Sequence, residues 1–165
     1  PFTFGSDSHG ARGGDGHSIG SAFGDLDSDG HIDIFAGNFS HGGQPQTRIL
    51  LNQGPSRDYH FSDLGQRGIY WKESWSSPAL GDYDNDGMLD VFFTALKSYG
   101  NDSELFCNTG SPGNPQFADV TAAEGLPGGL DLYEVSWADW DNDGDLDLAP
   151  TAAFFAMIWI TATVG

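Results

Sequence analysis

The chain has 165 residues, enough for one ordinary domain, and 38% of them are apolar, enough to form a core without disulfide support. Its formal charge of -18, from 24 acidic against 6 basic residues, repels nucleic-acid phosphates and anionic lipid headgroups, and leaves cations as the natural partners. A single cysteine, Cys107, excludes an internal disulfide, and no paired Cys/His spacing suits zinc. Glycine (24 residues) and proline (8 residues) interrupt short runs of Phe, Trp, Ile, Leu and Val too often for long helices, so the expected fold class is all-β.

In chain order, a β-prone segment surrounds Phe4, and a strand then leads through Ala22-Phe23-Gly24 into the loop GDLDSDGHID at 24–33. Apolar residues alternate with the last aspartate of that loop (Ile32, Asp33, Ile34), a period of two that predicts a second strand. Ile49-Leu50-Leu51 and a segment at Phe61 supply a third and a fourth. The order then repeats. Leu80 precedes GDYDNDGMLD at 81–90, followed by Leu89-Asp90-Val91, Glu104-Leu105-Phe106 and Phe117. Trp137 precedes ADWDNDGDLD at 138–147, followed by Leu146-Asp147-Leu148. The apolar run from Ala149 to Val164 is shorter than the roughly 20 residues of a membrane-spanning helix and rich in β-branched and aromatic types, which predicts a buried strand rather than a membrane span.

The first aspartates of the three loops, Asp25, Asp82 and Asp139, stand 57 residues apart on both intervals. Equal spacing of matching segments marks a repeat architecture. Four short strands per unit predict four-stranded antiparallel sheets packed as β-propeller blades. The expected organisation is an outer strand of a preceding or permuted blade over 1–17, blades over 18–73 and 74–130, and an incomplete blade over 131–165. Propellers close with about 4 to 8 blades, so three blades' worth of chain predicts a fragment, a partial ring, or a homo-oligomer that completes one. The chain begins at Pro1 without a charged-then-apolar leader, which leaves a processed product and a piece of a longer protein both open.

Each loop places aspartates at positions 1, 3, 5 and 9 and glycine at position 6. The expected metal ligands are Asp25, Asp27, Asp29 and Asp33; Asp82, Asp84, Asp86 and Asp90; and Asp139, Asp141, Asp143 and Asp147. Position 7 is His31, Met88 and Asp145, a variety that suits a ligand acting through its backbone carbonyl with the side chain pointing elsewhere. Calcium takes six to eight oxygens, whereas magnesium keeps several waters in a rigid octahedron, so three calcium ions are expected. Solvated Asp-Gly and Asn-Gly turns are the plainer alternative. Four converging carboxylates per loop would repel one another without a cation, and three equally spaced copies favour the metal reading. An EF-hand is excluded because position 12 is Ala36, Phe93 and Pro150 in place of a bidentate glutamate.

On GDLDSDGHIDIFAG, GDYDNDGMLDVFFT and ADWDNDGDLDL, the chain resembles the FG-GAP/VCBS repeats of integrin-type β-propellers. FADVTAAEGL at 117–126 with VSWADWDNDGDLDL is similar to the repeat of the ASPIC/UnbV and cartilage-acidic-protein branch. The segment TAAFFAMIWITATVG departs from that pattern, as does Cys107. The resemblance implies an extracellular or cell-surface module for adhesion or matrix recognition, with a protein or glycan partner and structural calcium. A lectin, an accessory propeller of a secreted polysaccharide-active enzyme and a self-assembling extracellular structural protein are the rival readings.

Other residues carry weaker signals. His9, His17, His31, His41 and His60 lack metal-ligand spacing and read as loop histidines. Asn38-Phe39-Ser40 and Asn101-Asp102-Ser103 are glycosylation sequons, expected in the loop after the second strand of a blade. Tyr70, Trp71, Trp75, Tyr133, Trp137 and Trp140 suit stacking on a sugar, or packing between blades. No nucleophile elbow, phosphate loop or thiol–imidazole pair appears, so neither catalytic nor cofactor-binding residues are expected.

Overall fold

The computed structural model describes residues 17–39, 47–70, 75–95, 102–129 and 132–150. The architecture is all-β: among the described residues ten strands form three antiparallel sheets of four, four and two, and one short 3-10 helix spans Pro55–Arg57. The first sheet runs β1 (His17–Gly24), β2 (Asp33–Phe39), β3 (Arg48–Asn52) and β4 (Phe61–Asp63) in sequential order. The second repeats it with β5 (Trp75–Gly81), β6 (Asp90–Ala95), β7 (Glu104–Asn108) and β8 (Phe117–Asp119), and β9 (Val135–Ala138) pairs with β10 (Asp147–Pro150) in the third. Each aspartate loop is the turn between the first two strands of its sheet. Register places Gly24 opposite Asp33, Gly81 opposite Asp90 and Ala138 opposite Asp147. The strand expected at Phe4 and the apolar run beyond Pro150 lie outside the described residues.

Packing between sheets explains why β6 carries three apolar residues in succession, Val91, Phe92 and Phe93, rather than an alternating pattern. All six of its residues are buried, because both faces of the second sheet are covered. Val91, Phe93 and Ala95 join Leu26, Phe35, Ile49, Leu51, Ile69, Phe106 and Phe117 in the first core cluster. Phe92, on the other face, joins Tyr83, Leu105, Leu126, Leu132 and Leu148, with Trp137 packed against them. Edge-to-face aromatic pairs sit in each cluster: Phe35 and Phe93 at 5.5 Å between ring centroids, and Phe92 and Trp137 at 6.5 Å.

The inner strands β1, β5 and β9 pack side by side, as radially arranged blades require. The residue before each first aspartate sets how closely they approach. A Cβ on Gly24 would lie 2.6 Å from a Leu89 methyl, and one on Gly81 would lie 2.7 Å from the Trp137 indole. Leu80, whose methyl is 3.0 Å from the same Gly24 position, and Trp137 each stand two positions before the first aspartate of the next loop and fill the gap beside a glycine of the blade before it, Leu80 together with Leu89. Trp137 is thereby an inter-blade residue, and its Nε1–H donates to the Ala79 carbonyl at 3.3 Å. Tyr70, beyond β4 of the first sheet, reaches the second sheet: its hydroxyl donates to Glu104 and to Asp119, the latter at 3.1 Å.

The described sequon residue differs from expectation. Asn38 lies inside β2, paired with Ser18, because the strand runs to Phe39 before the loop begins. Asn101 lies outside the described residues, as do His9, His41 and Trp71. Tyr133 and Trp140 are exposed.

The buried Phe35–Phe93 contact predicts that Phe93→Ala destabilises the fold by about 3–5 kcal/mol. Phe23→Ala, at a side chain 65% exposed, should change stability by less than about 0.5 kcal/mol. Urea unfolding of both variants checks this, and equal losses would contradict the placement of the core.

Candidate metal centre

Each loop is a hairpin turn whose carboxylates are aimed by backbone amides, and the wiring is the same in all three copies. The position 1 carboxylate accepts from the amides of positions 5 and 6. Asp25 accepts from Asp29 at 3.0 Å and Gly30 at 2.9 Å, Asp82 from Asp86 and Gly87 at 3.0 Å each, and Asp139 from Asp143 and Gly144 at 3.2 Å each. The position 5 carboxylate accepts from the position 7 amide, His31 to Asp29, Met88 to Asp86 and Asp145 to Asp143. Tight folding needs left-handed backbone at positions 4 and 6: Ser28, Asn85 and Asn142 have φ of 56, 58 and 61°, and the glycines have 88, 89 and 100°.

The result is a convergence of like charge. Asp25, Asp27 and Asp29 each offer an oxygen within 4.8 Å of the others, as do Asp82, Asp84 and Asp86, and Asp139, Asp141 and Asp147. Two oxygens on one calcium, each about 2.3–2.6 Å from it, are at most about 5 Å apart, so these groups have the dimensions of a calcium shell. Asp27 supplies a further test of fit. It is buried, and its Oδ1 has no hydrogen-bond partner among the described residues. A buried carboxylate oxygen left without a donor is costly, and a cation between the three aspartates would satisfy it.

Position 9 behaves differently from the other three. Asp33 and Asp90 are fully buried behind the loop, each fixed by two amides. Asp33 accepts from Leu26 and Asn52, both at 2.8 Å, and Asp90 from Tyr83 at 3.0 Å and Asn108 at 2.7 Å. Asp147 accepts from Trp140 at 3.1 Å and turns into the third cluster, where Asp143 does not join it. Thus the expected fourth carboxylate of the first two loops stands outside the three-oxygen group, because main-chain donors from positions 2 and from the end of the third strand hold it.

Burial pushes the Asp33 carboxyl up to about 6 and the Asp90 carboxyl up to about 7; their amide donors oppose this, and the neighbouring loop aspartates add to it. Burial, then Asp29 and Asp25, raises Asp27 in the same direction. Cys107 lies against the second loop, its thiol 3.7 Å from Asp84 Oδ2, and burial with the charges of Asp90 and Asp84 pushes it up to about 12. Burial and these charges favour its neutral thiol form over the thiolate.

The roles of several residues around the loops were not read from the sequence. The His31 ring turns back on its own loop, with Nδ1 2.9 Å from Asp29 Oδ1, where the sequence predicts a side chain pointing elsewhere. Asn52 and Asn108 each orient a position 9 aspartate by a main-chain N–H while the side-chain amide donates to Ile32 and Leu89 carbonyls. Their signal was present as Asn-Gln-Gly at 52–54 and Asn-Thr-Gly at 108–110, one per blade.

Fold and loops together define a class: tandem antiparallel blade sheets, each opening with an aspartate hairpin. Residues 25–93 match the family model described as FG-GAP-like repeat, from the first aspartate of one loop through the strand after the next. The chain is also similar to cartilage acidic protein 1 of Xenopus tropicalis, 27% identical over 139 residues, which is 80% of this chain and 20% of that protein. It thus spans about a fifth of the relative's length.

Raised carboxyl values set a pH dependence. An aspartate near 6 or 7 in the folded protein and near about 3.9 when unfolded binds more protons folded than unfolded across that window. Its contribution is therefore full below the unfolded value and is lost as pH rises through 6 to 7. In chelator, the melting midpoint should fall between about pH 5 and about pH 8, whereas saturating calcium, which needs bare carboxylates, should abolish or reverse the trend. Parallel pH profiles with and without calcium would contradict this.

Proposed function

We propose that the chain is a calcium-binding segment of an extracellular β-propeller module, in which calcium holds the blade hairpins in shape and the blade loops recognise a protein or glycan partner. Asp25, Asp27 and Asp29 form the first site, Asp82, Asp84 and Asp86 the second, and Asp139, Asp141 and Asp147 the third. The position 7 carbonyls of His31, Met88 and Asp145 complete the shells, with Asp33 and Asp90 behind them and Asp143 in the third loop as further carboxylates. The observation that carries this reading is the buried, unpartnered Oδ1 of Asp27 inside a carboxylate group whose wiring recurs in two more loops.

Calcium in such sites is structural. The loop's own oxygens supply most of the shell, and neutralising converged carboxylates removes a repulsion that acts on every blade. Extracellular modules bind calcium weakly, at roughly 10⁻⁴–10⁻³ M, and external fluids hold it at concentrations that match. The FG-GAP-like match and the similarity to cartilage acidic protein 1 favour a recognition role outside the cell over catalysis. Among the described residues no helix is long and apolar enough to cross a membrane. A homo-oligomer, or further blades on a longer chain, would complete the ring.

Calorimetric titration should give three calcium ions per chain. Each site at a hundredfold excess over its Kd should stabilise the fold by about 2.7 kcal/mol, seen as a raised melting midpoint that excess EDTA reverses. A midpoint indifferent to EDTA would exclude structural calcium.

A further inference from the structure

We infer that the three loops are linked in series, with the position 4 side chain of one loop acting as a positioning residue for the next. Resting on the calcium reading above, the inference adds to it that binding is positively cooperative along the chain. Asn85, at position 4 of the second loop, donates through Nδ2 to Asp145 Oδ1, at position 7 of the third, over 2.7 Å. Ser28, at position 4 of the first loop, donates through Oγ to Met88 Sδ, at position 7 of the second, over 3.2 Å, and lies 3.4 Å from the Gly87 carbonyl. Both contacts join residues 60 apart in sequence. The same link is therefore made twice by repeat geometry with different chemistry, hydroxyl to thioether and amide to carboxylate.

Placement gives the link its effect. Position 4 sits between the aspartates of positions 3 and 5, so a cation that fixes those carboxylates fixes the left-handed backbone between them and aims its side chain. The receiving residue is the one assigned to ligate through its carbonyl. A filled loop thus holds in place part of the next loop's shell, and reciprocity requires that the next loop, once filled, tighten the first. A second tie supports the same pairing. Asn108 Nδ2 donates to the Leu26 carbonyl at 3.0 Å and the Gly113 amide to the Asp27 carbonyl at 2.7 Å, so the second sheet also clamps positions 2 and 3 of the first loop. Electrostatics act in the same direction, since each divalent ion lowers the negative charge that neighbouring loops present to one another.

The position 6 amides give one reporter per loop, because Gly30, Gly87 and Gly144 donate to the position 1 carboxylates. Calcium titration of the isotope-labelled chain, followed by NMR at these three amides, should show Asn85→Gly raising the calcium needed at Gly144 by about three- to tenfold, the effect of one ordinary hydrogen bond. Reciprocity moves the Gly87 midpoint in the same direction, whereas Gly tolerates the left-handed backbone, so the Gly30 midpoint, outside this link, should move less than about twofold. Asp145→Asn, which keeps an acceptor, should retain the coupling; Asp145→Ala should lose it, and adding Asn85→Gly should then cost nothing further. Ser28→Gly tests the first link independently through Gly87. An unchanged Gly144 midpoint in Asn85→Gly, or an equal shift at Gly30, would overturn the inference while leaving the calcium sites intact. Glycine amides that ignore calcium altogether would instead overturn the calcium reading.

Discussion

Converging carboxylates are the constraint around which each blade's first hairpin is built. A short hairpin turn brings three aspartate side chains within 4.8 Å of one another in each blade, and the backbone amides that aim them offset only part of the mutual repulsion. Donors come from the turn itself at positions 5, 6 and 7, so the position 1 and position 5 carboxylates are aimed in part before any ion arrives. Preorganisation of this kind favours a hard divalent ion over the protonated or splayed alternatives. It also explains the glycine at position 6 and the Asn or Ser at position 4, since both positions must adopt left-handed backbone.

The blades transmit this constraint. Position 9 of each loop is the first residue of the second strand, and its carboxylate is held by an amide of the loop and, in both complete sheets, by an amide at the end of the third strand. The loop is thereby tied to three strands of its own sheet. Close approach at Gly24 and Gly81, with Leu89 and Trp137 packed into the space, ties each sheet to the next. Loss of order in one turn would therefore reach the hydrophobic clusters on both faces of the central sheet.

Much of this was legible in the sequence because the aspartates repeat at a fixed interval and the strands around them alternate with period two. Four strands per unit followed from the apolar runs at Leu50 and Leu105 and the phenylalanines at 61 and 117, all of which lie in strands of the two complete sheets. What pattern reasoning missed depends on three-dimensional proximity. The burial of Asp33 and Asp90 behind their loops is set by amides of Asn52 and Asn108, nearly twenty positions away. Ser28 and Asn85 look like ordinary turn residues until the neighbouring blade is placed beside them. Asn38 was expected in the loop after the second strand of its blade, yet β2 continues through it.

Anomalous diffraction from a crystal grown with calcium, collected at long wavelength, tests the central claim most directly. The account predicts three peaks, one within each carboxylate group, with the Asp27 Oδ1 in the first shell of the first. Density showing only water among aspartates turned away from one another, at calcium concentrations well above the expected Kd, would contradict it.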